Sequence, residues 1–133
     1  MTAVCPSGLP LPLPPARTHE EIPWGRGCDL CGDKLPVQFL VAAHVKKRSV
    51  CSTGERLDIP AIAMVACKFG CDALYEEGYL AVDYQGLIVV SPLAPKQGAA
   101  AGYLARLNGR VTPAFNPARA AYFGWHHGHT YKR

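Results

Sequence analysis

Gly25-Arg26-Gly27-Cys28-Asp29-Leu30-Cys31-Gly32 and Cys67-Lys68-Phe69-Gly70-Cys71 are the stretches that decide how this chain folds. The first holds a CxxC pair inside a glycine-rich turn, the second a CxxxC pair, and 35 residues separate the two pairs. Each short pair offers two thiolates from one tight turn. Together the two turns complete a closed four-cysteine tetrahedral site of the kind zinc occupies, which contributes folding free energy to a small domain. The same cysteines read otherwise as buried apolar side chains or as two disulfides, since an even count invites pairing in an oxidising compartment. Cys5 and Cys51 are left over in the zinc reading and are most simply small apolar side chains or surface thiols.

Working outward, 133 residues suffice for one domain with a modest core and are too few for two. Hydrophobic residues make up 49% of the chain and charged residues 18%, with a mean hydropathy of +0.02, which is the composition of a globular protein. The longest apolar runs, and stretches such as 39–43 and 87–90 with them, fall far short of the roughly 20 residues a membrane helix needs. Fourteen Lys and Arg against ten Asp and Glu give a formal charge of +4, a mild bias toward polyanions such as nucleic acid. Prolines at 6, 10, 12, 14, 15 and 23 make residues 1–24 an expected extended arm, leaving 25–133 as the folded domain. That arm lacks the basic start of a secretory signal, so a cytoplasmic location is expected, and with it reduced cysteines.

Residues 37–45 are rich in Val, Phe and Leu and predict a strand, with His44 near its end and the basic cluster Lys46, Lys47, Arg48 closing it. Residues 59–66 predict a second strand, with Pro60 confining its start to an edge or loop. Residues 72–79 carry Leu74, Tyr75 and Tyr79 among acidic neighbours and predict a short helix. A hairpin is expected between 80–83 and 87–91 around Tyr84-Gln85-Gly86. Two closing helices are expected over 99–107 and 117–125, with Asn116 as a cap before Pro117. The predicted class is α+β.

Ala42-Ala43-His44-Val45-Lys46-Lys47-Arg48, set between the two cysteine turns, resembles the HNH (ββα-metal) endonuclease family in its AAH-type form with a four-cysteine zinc site. The order of motifs over 28–78 is similar, Asp72-Ala73-Leu74-Tyr75-Glu76-Glu77-Gly78 resembles the metal-binding helix of one subgroup, and 116–126 resembles its closing helix. The resemblance implies a zinc-stapled ββα-metal core, extended by a hairpin and C-terminal helices. It also implies a metal-dependent enzyme that hydrolyses DNA phosphodiester bonds. His44 would be the general base, with a divalent cation polarising the phosphate. Two departures stand out. Ala61 or Ile62 occupies the place of the family's middle asparagine, and Asp72 stands for the helix histidine, a carboxylate suited to Mg2+ or Mn2+.

Asp72 and Glu76 stand at i and i+4, so on a helix both carboxylates reach one ion; as residues of a solvated first turn they would simply suit the helix dipole. Lys46, Lys47 and Arg48 are candidate clamps on nucleic-acid phosphates, and His126 falls where the family's tail histidine does. The expected partner is nucleic acid, double-stranded DNA first, with specificity supplied by loops, by a homodimer or by a partner chain. The competing expectation is a zinc-bound nucleic-acid module that keeps the fold and has lost the chemistry. A third, a zinc ribbon for protein contacts, would expose an apolar patch.

Overall fold

The computed structural model describes residues 22–133, so all but the last three residues of the expected 1–24 arm, Cys5 among them, lie outside the described residues. The class is α+β as expected, built from two separate two-stranded antiparallel sheets and short helices. Strand β1, Leu40–His44, pairs with β2, Ala63–Cys67, in a register running from Leu40 opposite Cys67 to His44 opposite Ala63. Every residue of β2 is buried, which fits its unbroken apolar sequence Ala-Met-Val-Ala-Cys. One edge of β2 faces β1. On its other edge the first cysteine turn docks: Asp29 N–H donates to the Val65 carbonyl at 2.7 Å, and Val65 N–H donates to the Asp29 carboxylate at 2.9 Å.

Both strands are shorter than the sequence predicts, and proline is the reason each time. Pro36 opens a single 3-10 turn over Val37–Phe39, closed by Phe39 N–H on the Pro36 carbonyl, so β1 starts only at Leu40. The segment expected as the first half of the second strand is instead a short helix. Helix α1, Thr53–Leu57, leads into α2, Ile59–Ile62, where Pro60 sits in the first turn. There its missing N–H costs nothing and its fixed φ suits the helix.

Helix α3, Cys71–Glu76, follows β2 directly. It is stopped at Gly78, whose φ of 81° is left-handed and where a Cβ would collide with the Thr130 carbonyl; Lys132 N–H donates to the Gly78 carbonyl at 2.9 Å. The expected hairpin is present as β3, Leu80–Val82, and β4, Ile88–Val90, its turn held by Asp83 accepting from the N–H groups of Gln85 and Leu87. Two helices close the fold: α4, Gly98–Leu107, against β4, and α5, Ala120–His129, against β3. The second starts at Ala120 and runs to His129 rather than over 117–125, with Arg119 and not Asn116 at its N-cap and no side-chain cap; Asn116 instead accepts from Arg119 N–H at 2.9 Å in the turn ahead of the helix. One core joins Leu30 of the first cysteine turn, Met64 and Val65 of β2, Leu80 and Ile88 of the hairpin, and Leu104, Leu107 and Phe123 of the last helices.

Asp29 is 1% exposed and ties the first cysteine turn to β2, so Asp29→Ala strands the buried Val65 N–H and is expected to lower the unfolding free energy by about 2–3 kcal/mol in urea titration. Arg26→Ala leaves the buried Asp29 carboxylate without the guanidinium that bonds its Oδ1 and is expected to lower it as well, while keeping the bond from Val65 N–H.

Candidate functional site

The four cysteines singled out by spacing converge. Cys28, Cys31, Cys67 and Cys71 are all buried, and their sulfurs lie within 4.8 Å of one another, a group able to hold a metal ion such as zinc. The described cysteines, Cys51 included, are free thiols, so the disulfide alternative does not apply among them. Locally the first turn is shaped around sulfur: the N–H groups of Leu30 and Cys31 both lie 3.4 Å from Cys28 Sγ and donate to it. Crowding splits the thiol acidities. Hydrogen bonds from Cys28 and Cys71 drive Cys67 down, the bond with Cys28 drives Cys71 up, and burial pushes Cys31 up to about 12. Four sulfurs this close cannot all carry charge unless a cation shares them, and a four-sulfur donor set suits a soft, tetrahedral ion.

Beyond that group a cleft of about 560 Å³ opens between the end of β1 and α3. One wall carries His44, the last residue of β1, with Lys47 and Arg48 after it; the other carries Asp72 and Glu76 of α3; His126 of α5 and Lys132 complete it. Tyr75 fixes the spacing of these walls. Its hydroxyl donates to the Val45 carbonyl, one residue past His44, at 2.7 Å, and its ring stacks on His126 at 3.6 Å between centroids. His126 Nε2 lies 2.7 Å from the Tyr75 carbonyl, so α5 is tied to α3 at the cleft.

Burial, reinforced by Arg48 and Arg56, holds the His44 imidazole below its ordinary pKa and therefore neutral at pH 7. Asp72 is shifted the other way: burial, then repulsion from Glu76 and Cys67, raise its carboxyl. A cation shared by Asp72 and Glu76 would relieve that repulsion, so the donors suit a hard divalent ion, with water and ligand oxygens filling the remaining positions. Among the described residues, the four cysteines are the one set of three or more His, Cys, Asp or Glu close enough to share an ion.

Of the three expected basic clamps, Lys47 and Arg48 line the cleft and Lys46 does not. Lys46 turns inward, bonded at 2.9 Å to both oxygens of Glu55 and lying over the Trp125 ring. Glu55 is held there by the capping box it forms with Ser52 at the start of α1. The Ser-Thr-Gly-Glu signature at 52–55 announces that box in the sequence. Sequence reasoning gave no place in the cleft to Tyr75 or Lys132, nor any role to Cys51, whose thiol donates to the Lys46 and Lys47 carbonyls and shapes the basic turn. Ala61 and Ile62 are buried in α2 and bring no polar side chain to the cleft. On another face Phe39 and Phe69, 40% and 64% exposed, stack on each other at 5.3 Å, with exposed Val37 near them in sequence.

No protein-family model matches the chain, and no curated protein sequence matches it either. Among the described residues no helix is long and apolar enough to cross a membrane.

His126, 2% exposed, is pushed by burial to a pKa of about 4, against 6.5 in an unfolded chain. Between those values the unfolded chain binds more protons, so stability is full above pH 6.5 and is lost as pH falls toward about 4. In His126→Phe, which keeps a ring on Tyr75, this loss is expected to be smaller; comparing melting temperatures of the two proteins across that window cancels the titration of every other group.

Proposed function

We propose that this protein is a metal-dependent endonuclease of the HNH (ββα-metal) kind, stapled by zinc on Cys28, Cys31, Cys67 and Cys71 and hydrolysing DNA phosphodiester bonds. The observation that carries the reading is the single cleft that joins His44, at the end of one strand of a hairpin-like pair, to Asp72 and Glu76 on the helix that follows the other strand. Lys47 and Arg48 stand on the His44 wall, where they hold the phosphates flanking the scissile bond. His44, neutral at pH 7, accepts a proton from water as its oxygen attacks phosphorus and the P–O bond to the leaving sugar breaks. Asp72 and Glu76 would hold Mg2+ or Mn2+, which when bound supplies charge stabilisation at the phosphate and the leaving oxygen. Tyr75 positions both walls and takes no part in the chemistry.

One observation favours the competing reading of a zinc-bound module that binds nucleic acid without cutting it. Among the described residues none hydrogen-bonds the His44 imidazole, and where an orienting asparagine would serve, Ala61 and Ile62 are apolar and buried. A general base needs its orientation fixed, so the two readings separate on cleavage alone.

The purified protein is expected to carry about one zinc per chain by elemental analysis. Cys67→Ser should lose it and unfold, whereas Cys51→Ser should retain it, because the Cys51 sulfur lies outside the four-sulfur group.

With plasmid DNA and Mg2+ or Mn2+, His44→Ala is expected to keep zinc, melting temperature and DNA binding while losing cleavage by roughly 10² to 10⁴-fold. Asp72→Ala should keep zinc and need more Mg2+ or Mn2+ for its residual cleavage. Tight DNA binding by a wild type that cuts under no divalent cation would establish the non-catalytic module instead.

A further inference from the structure

A segment far from both cysteine turns in sequence is laid over them. The Tyr103 hydroxyl on α4 stands 3.1 Å from Cys67 Sγ and 3.1 Å from Cys71 Sγ. Its ring presses on the backbone between those cysteines: a Cβ at Gly70 would come within 2.9 Å of it, so the glycine is what admits the tyrosine. One turn on, the Arg106 guanidinium lies over the Tyr103 ring at 5.7 Å and 3.6 Å from the Asp33 carboxylate beside the first turn. Arg110 Nε donates to the Leu30 carbonyl at 3.2 Å and Thr112 Oγ1 to the Asp29 carbonyl at 2.6 Å, both inside the CxxC turn. Residues 103–112 therefore bridge the two turns with polar contacts directed at the sulfurs and at the backbone that presents them.

We propose that Tyr103 is a positioning residue of the four-cysteine site, its one O–H shared between the metal-bound thiolates of Cys67 and Cys71 and so slowing release of the ion. This rests on the reading of those cysteines as a metal site. A thiolate that binds a metal has no proton to give, so between it and a phenol the O–H can only be the donor. Such a bond withdraws charge from sulfur and fixes its direction, as outer-sphere partners do at metal sites generally. Because the donor sits on α4, docking of the C-terminal half and retention of the ion become one event.

The test is Tyr103→Phe, which keeps the ring against Gly70 and under Arg106 and deletes only the donor, with Tyr84→Phe, at a residue 85% exposed, as control. Zinc release to an excess of a chromogenic chelator is expected to be faster by roughly 10- to 100-fold in Tyr103→Phe and unchanged in the control. In the cobalt-loaded full chain the sulfur-to-cobalt charge-transfer band should move to lower energy in Tyr103→Phe, because sulfur lone pairs no longer stabilised by the O–H are easier to ionise. Wild-type protein made with 3-fluorotyrosine, a stronger donor, should release zinc more slowly and needs no substituted residue to fold. An unchanged band together with unchanged release in Tyr103→Phe overturns the proposal while leaving the metal site standing. A wild type that binds neither zinc nor cobalt overturns the metal reading and this proposal together.

Discussion

Bringing four sulfurs within 4.8 Å of one another, from turns separated by 35 residues, is the constraint on which the remaining architecture hangs. Neither turn can meet the other unless the chain between them doubles back, and the pairing of β1 with β2 does this, its register ending with Leu40 opposite Cys67. The first turn then reaches the far edge of β2 through Asp29, whose backbone and side chain both engage Val65. A chain this small buries a limited apolar area, so a metal held at this point would stabilise it out of proportion to its size. The same geometry positions the cleft. Cys71 is fully buried at the start of α3 while Asp72, the next residue and about 100° around the helix, looks into the cleft, so anchor and candidate ligand are consecutive residues.

The cleft brings opposed charges together without neutralising them. Lys47 and Arg48 stand on one wall, Asp72 and Glu76 on the other, and His44 is partly desolvated between them. The electrostatic consequences run in opposite directions: burial, then the Arg48 and Arg56 guanidiniums, disfavours a proton on the His44 imidazole, and burial, then repulsion from Glu76 and Cys67, disfavours ionisation of Asp72. Lys46 completes the picture by its absence from that wall, since its charge is spent on Glu55 and its stem on Trp125.

What could be read in the sequence was what depends on local spacing. The cysteine turns, the position of His44 at a strand end, the i, i+4 carboxylates and the Tyr84-Gln85-Gly86 turn of the hairpin are set by residues within a few positions of one another. Misreadings arose where a proline shifted an element: Pro60 suits the first turn of α2 as well as it suits a strand edge, and only the packing of Ile59 and Ile62 into the core decides between them. The fate of Lys46 depended on a cap nine residues away, and that of Tyr103 on sulfurs more than thirty residues distant. No periodicity announces such partners. The apolar stack of Phe39 on Phe69 is of the same kind, two residues joined only because the strands align them.

The last stretch of backbone has a role out of proportion to its length. Lys132 N–H caps the Gly78 carbonyl, the Lys132 carbonyl accepts from Ser91 Oγ at 2.6 Å, and His126 Nε2 meets the Tyr75 carbonyl of α3. During synthesis the cysteine turns and both strands of the first sheet leave the ribosome some sixty residues before these groups do. The nascent chain can therefore gather its sulfurs early, yet the cleft gains its final wall only once residue 132 has emerged.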